Sequence, residues 1–152
     1  MLALMITIFH ARVLAFLAAG LVACASYAQQ SQTVGTYVVN FGIVPAEVAL
    51  GTAGHREAHP ITFPPGSQHL LITLDDAKSG KRVGDAEVVM AVTDPKGRVV
   101  SKRLLHTSGG GMPDYSELFT FGWSGRYSIR ATITPKPGGK PLVARFTVDH
   151  VI

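Results

Sequence analysis

Histidine is the residue type in this sequence best suited to chemistry. Six are present, and five of them, His55, His59, His69, His106 and His150, lie beyond the N-terminal apolar stretch. Neutral imidazole is the commonest ligand for zinc, copper and nickel. His55-Arg56-Glu57-Ala58-His59 sets two imidazoles within one turn-sized segment, bounded by Pro60, Pro64 and Pro65, that reads as a loop. With His69 and His150 this makes a candidate metal set of four nitrogens, His55, His59, His69 and His150, for copper or zinc. A thinner alternative pairs His106 with Met112 across Gly109-Gly110-Gly111, where a thioether beside an imidazole would suit copper(I). The default state of a loop histidine is a solvated surface group, so both sets are candidates.

The remaining chemistry is sparse. Cys24 is the only cysteine. No nucleophile–base pair, paired carboxylates or phosphate-cradling glycine loop is present, and the expectation is a non-enzyme. Arg126, Arg130 and Arg145 share a strand parity that could make a basic stripe for an anion, although arginines on solvated faces are the rule.

These side chains need elements to position them, and the first element is an export signal. Met1 to Ala28 carries one formal charge, Arg12. The apolar run from Val13 to Cys24 is too short for a stable span, which takes ~20 residues, but fits the hydrophobic region of a signal peptide. Ser26-Tyr27-Ala28 offers small residues for cleavage before Gln29. Leu21-Val22-Ala23-Cys24 resembles a bacterial lipobox, which would make Cys24 a lipidated N-terminus and the only link to a membrane. Residues 1–28 are therefore expected to be a signal peptide forming an N-terminal signal helix, 29–34 a flexible polar lead-in, and 35–152 the domain.

Without Arg12 the 14 basic residues become 13 against 10 acidic ones, a net of +3. The charges are scattered, with no basic run and no interleaved aromatics, so no nucleic-acid partner is expected.

From residue 35 on, apolar residues recur at period two. Leu70, Ile72 and Leu74 share a face, as do Ala86, Val88, Met90 and Val92. So do Phe119, Phe121 and Trp123; Tyr127, Ile129, Ala131 and Ile133; and Ala144, Phe146 and Val148. A further strand is expected from Thr36 to Leu50, kinked at Pro45, and another around Val99. Asp94-Pro95-Lys96-Gly97 has the chemistry of a type I turn. Ser124-Gly125 can close a hairpin, and Pro135 to Gly139 breaks the chain before the last strand. Short strands at this spacing indicate a sandwich or a barrel, and the expectation is an all-β, immunoglobulin-like sandwich of about seven antiparallel strands. In it, Tyr127 is expected to form a tyrosine corner and Trp123 to join the core. Alternating strand directions put His55, His59, His69 and His150 at one end and His106 with Met112 at the other. Parity turns His69 outward and His150 inward, and places Met90 in the core, away from any ligand role.

The stretch Asp76-Ala77-Lys78-Ser79-Gly80-Lys81-Arg82-Val83-Gly84-Asp85-Ala86-Glu87-Val88, followed by Asp94-Pro95-Lys96-Gly97 and later Gly125-Arg126-Tyr127-Ser128-Ile129, resembles bacterial extracytoplasmic immunoglobulin-like modules of the YtkA-like kind. The resemblance spans about Gln68 to His150. It implies a sandwich fold and a periplasmic or envelope location, and some such proteins handle copper. The expectation is an exported binding or accessory domain that takes a transition metal through loop histidines. The alternative is a structural module that docks to another envelope protein.

Overall fold

The computed structural model describes residues 29–51, 63–107, 114–136 and 138–152. Two antiparallel sheets face each other, as the alternation predicts. One has five strands: β1 (Gln29–Val34), β2 (Tyr37–Pro45), β3 (Ser67–Asp76), β7 (Asp114–Thr120) and β6 (Leu105–Thr107), in that order. The other has four: β5 (Val99–Arg103), β4 (Glu87–Thr93), β8 (Gly125–Thr134) and β9 (Leu142–His150). One short helix, α1 (Ala46–Gly51), follows β2 and packs against β2 and β3.

The inward residues of the two sheets form one core. Phe41, Leu70, Ile72, Met90, Phe121, Ile129 and Ile133 have at most 1% of their surface exposed. Phe41 and Phe146 stack across the sandwich with centroids 5.1 Å apart. Burial alternates along β4, β8 and β9, and along β3 from His69 to Asp75, because successive side chains of a strand point to opposite faces.

The Asp94 turn forms as expected. Gly97 donates its N–H to the Asp94 carbonyl at 2.9 Å and adopts φ +82°, a conformation that favours glycine. Asp94 Oδ1 accepts the N–H groups of Lys96 and Arg98. Past β5, Leu104 is buried and carries the chain from the four-stranded sheet to β6 in the other.

Four expectations are corrected. Gln29–Val34, read as a flexible lead-in, is strand β1, paired in register with β2 from Gln29 opposite Gly42 to Val34 opposite Tyr37. It lacks apolar alternation because its side chains serve another strand. Gln30 Nε2 donates to the Thr147 carbonyl, and Gln32 Oε1 accepts the Arg145 N–H on β9. The strand expected from Thr36 to Leu50 ends at Pro45, where proline cannot donate to a ladder, and α1 follows. Ser124-Gly125 closes no hairpin, because β7 and β8 belong to different sheets and residues 121–124 cross between them. Trp123 sits on that crossing, 40% exposed, with the Lys96 ammonium 3.1 Å from its ring centroid. Among the described residues the sandwich thus has nine strands, where the alternation alone gives about seven.

Candidate metal centre

Register fixes what gathers at one end of the sandwich. Ser67, the first residue of β3, lies opposite Thr120, the last of β7. Gly125, the first of β8, lies opposite His150, the last of β9. Pro45, ahead of α1, lies opposite Gln68. The chain therefore leaves α1 and returns to β3 at the end that carries His69 and His150, as strand alternation predicts. His55 and His59, on this connection, lie outside the described residues.

His69 stands on the outer face of the five-stranded sheet, between Val44 on β2 and Leu118 on β7. It is half-buried, and burial lowers its pKa from 6.5, outweighing Asp114 and Glu117, which pull the other way. The lowered value keeps the imidazole neutral at neutral pH, the form that can coordinate a metal.

His150 faces the opposite way. Its ring meets Phe121 edge-on at 5.5 Å between centroids and Tyr127 at 6.1 Å. Those two rings stack on each other at 4.0 Å. Gly66 lets its own backbone come close to that of Phe121. Its carbonyl accepts the Phe121 N–H at 2.8 Å, and at φ +77° a Cβ there would stand 2.4 Å from the Phe121 carbonyl oxygen. His69 and His150 thus share an end of the sandwich and not a face.

His106 is exposed on β6 with its ring tilted against Tyr115, near the start of β7 and so at the other end. Met112 lies outside the described residues, and Met90 is fully buried in the core. Among the described residues no three histidine, cysteine or carboxylate side chains come together to hold a metal ion.

Two tyrosines pin loops to this scaffold. Tyr127 forms the expected corner: its hydroxyl donates to the Trp123 carbonyl and accepts the Trp123 N–H, both at 3.0 Å. Tyr115, which the sequence reading overlooks, accepts the Ala86 N–H at 2.8 Å and donates to the Val83 carbonyl at 3.4 Å. It keeps the parity of Phe119 four residues earlier, but the charged Glu117 between them interrupts the apolar alternation that would have revealed it.

No protein-family model matches the chain, and no curated protein matches it. Solved structures do. FetP of uropathogenic Escherichia coli strain F11, recombinantly expressed in the periplasm, superposes with a TM-score of 0.62 at 12% identity, over 82% of this chain and 94% of that one. The fold is shared. A DUF4426 family protein from Pseudomonas aeruginosa PAO1 gives 0.61 at 16% identity, over 80% of this chain and 94% of that one. A copper-bound variant of Campylobacter jejuni P19 gives 0.60 at 11% identity, with 80% and 94% covered. At these identities the likeness establishes the architecture alone. The YtkA-like resemblance rests on the sequence.

Proposed function

We propose that this chain is an exported envelope protein, not an enzyme, that binds a transition metal ion, copper before zinc. The ligands in this reading are His55 and His59 from the 52–62 connection and His69 from β3. The observation that carries it is the placement of His69: an outward imidazole, kept neutral by burial, at the end where the connection enters β3. FetP and P19 have been solved with copper on the same fold, which supports copper over zinc. His150 is left out of the set because its ring packs inward against Phe121 and Tyr127.

Export is part of the proposal. It rests on the signal-like Met1 to Ala28 segment, with its one charge at Arg12, its apolar run from Val13 to Cys24 and the small residues before Gln29. Cleavage before a lipidated Cys24 would place the same domain on a lipid anchor. No helix among the described residues is long and apolar enough to cross a membrane. Expression with its own N-terminus, followed by mass spectrometry and metal analysis of the envelope fraction, tests both parts. The expected result is a chain starting at Gln29 or at lipidated Cys24, with about one copper per chain. Full-length, metal-free protein in the cytoplasm would overturn it.

A second reading has its own observation. Edge strand β5 is exposed along its length, with Val99 and Val100 at 61% and 50% and nearby Leu105 at 62%. An open apolar edge is a surface that another envelope protein could pair with. Retention of cell-envelope interactions by a protein that binds no metal would favour this reading.

A further inference from the structure

The outer face of the four-stranded sheet carries four arginines. Two are neutralised by neighbours: Arg103 on β5 by Glu87 on β4, and Arg126 on β8 by Asp149 on β9, the latter through two hydrogen bonds of 2.9 and 3.0 Å. Glu87 and Asp149 are the two carboxylates that the strands place on this face. Between the two ion pairs, Arg130 on β8 stands directly opposite Arg145 on β9. Both are exposed, and neither guanidinium has a carboxylate or hydrogen-bond partner among the described residues.

That arrangement is unfavourable by itself. Side chains directly opposite on antiparallel strands have Cβ atoms about 5 Å apart, and like charges there are destabilising. The surroundings suit a ligand of opposite sign. Ser128 and Thr147 form the next cross-strand pair on one side, and Thr132 lies in the next row on the other. Gln32 of β1 lies alongside, its side-chain oxygen already engaged by the Arg145 N–H.

We propose that Arg130 and Arg145 form a binding site for a phosphate dianion. Two guanidiniums offer two planar donor forks and two positive charges. A tetrahedral phosphomonoester or inorganic phosphate supplies at least three acceptor oxygens and close to two negative charges at neutral pH. A single carboxylate supplies one charge and two oxygens, and so leaves one positive charge and one donor fork unmatched. The site is independent of the histidine end, because it lies on the outer face of the other sheet.

The test follows the thermal midpoint of the purified protein at about pH 7.5 in sodium phosphate and in sodium chloride at matched ionic strength. The wild type, Arg130→Gln/Arg145→Gln and Arg145→Glu are compared, since phosphate also stabilises proteins unspecifically. A bound dianion should raise the wild-type midpoint by about 2–4 °C over chloride. The double variant should not respond. Arg145→Glu should be more stable than wild type in chloride, because a cross-strand ion pair replaces a repulsion, and should also lose the phosphate response. A second arm measures retention on phosphatidylcholine vesicles with and without phosphatidic acid. Retention of wild type alone, on phosphatidic acid alone, assigns the phosphate to a lipid headgroup. A midpoint shift without such retention assigns it to a soluble phosphate. Equal behaviour of wild type and the double variant in both arms overturns the proposal.

Discussion

The side-chain amide of Gln30 takes both main-chain hydrogen-bonding groups of Thr147, its Nε2 donating to the carbonyl at 2.5 Å and its Oε1 accepting the N–H at 3.4 Å. Gln30 belongs to the edge strand of one sheet and Thr147 to the edge strand of the other. With Gln32 on Arg145, these side chains imitate a strand along β9 and close that side of the sandwich. On the opposite side, the free part of β7 is capped in a related way, while β5 stays open. Lys102 Nζ donates to the Leu118 carbonyl at 2.6 Å, and Glu117 Oε1 accepts the Leu118 N–H, where β6 no longer covers β7.

The first prediction concerns this lacing. Gln30→Ala should cost about 1 kcal/mol, the usual net worth of one or two neutral hydrogen bonds at a partly solvated site. It should also promote self-association, because a bared strand edge is a template for pairing. Urea denaturation and light scattering read the two effects. A variant as stable and as monomeric as wild type would mean that β1 does not seal β9.

The second concerns the core. Phe121 is fully buried and Ile129 is 1% exposed. Truncating either to alanine should cost roughly 2–5 kcal/mol through lost transfer energy and the cavity left behind. A loss within about 0.5 kcal/mol of zero in chemical denaturation would contradict the packing, since domains of this size have about 5–15 kcal/mol in total.

The third concerns the two tyrosine hydroxyls. Tyr115→Phe leaves the Ala86 N–H without its acceptor, and Tyr127→Phe does the same to Trp123. Each should cost about 1 kcal/mol, the low end of the penalty for an unsatisfied group, because both sites are only partly buried. Equal stability of variant and wild type in urea would show that water replaces the hydroxyl freely.

Much of this architecture is legible from alternation, and the misses have physical causes. Leu70-Ile72-Leu74 and Tyr127-Ile129-Ala131-Ile133 fall inward as their parity dictates, because one sheet face is buried and a one-residue slip would expose every apolar side chain. The same parity places His69 outward and His150 inward. β1 is illegible because a strand held by glutamine side chains has no apolar period to show. Trp123 has the parity of Phe119 and Phe121, but β7 ends at Thr120 and the chain turns toward the other sheet, so the period stops meaning anything there. The lone Arg130–Arg145 pair needs the strand register, since sequence parity alone does not say which arginines the carboxylates neutralise.

The fourth prediction concerns pH. Burial lowers the His69 pKa in the folded protein from 6.5. The unfolded chain therefore binds the proton first as pH falls, and the folded state resists it. This contribution is fully present above about pH 6.5 and is lost progressively between that value and the lower folded pKa. The urea midpoint of metal-free protein should fall between about pH 7.5 and pH 5.5, and His69→Gln should flatten the slope. An unchanged slope would remove His69 as its source.

The central claim is metal binding at the His69 end, and calorimetric titration of the metal-free protein with Cu(II) at about pH 7.5 and pH 5.5 tests it most directly. The account predicts one site tighter than about 100 μM at the higher pH, weakened at the lower pH as protons compete for the imidazoles. His55→Ala/His59→Ala and His69→Ala should each weaken binding at least about tenfold, with His106→Ala unchanged. Absence of binding tighter than about 100 μM, or an equal loss in His106→Ala, would contradict it.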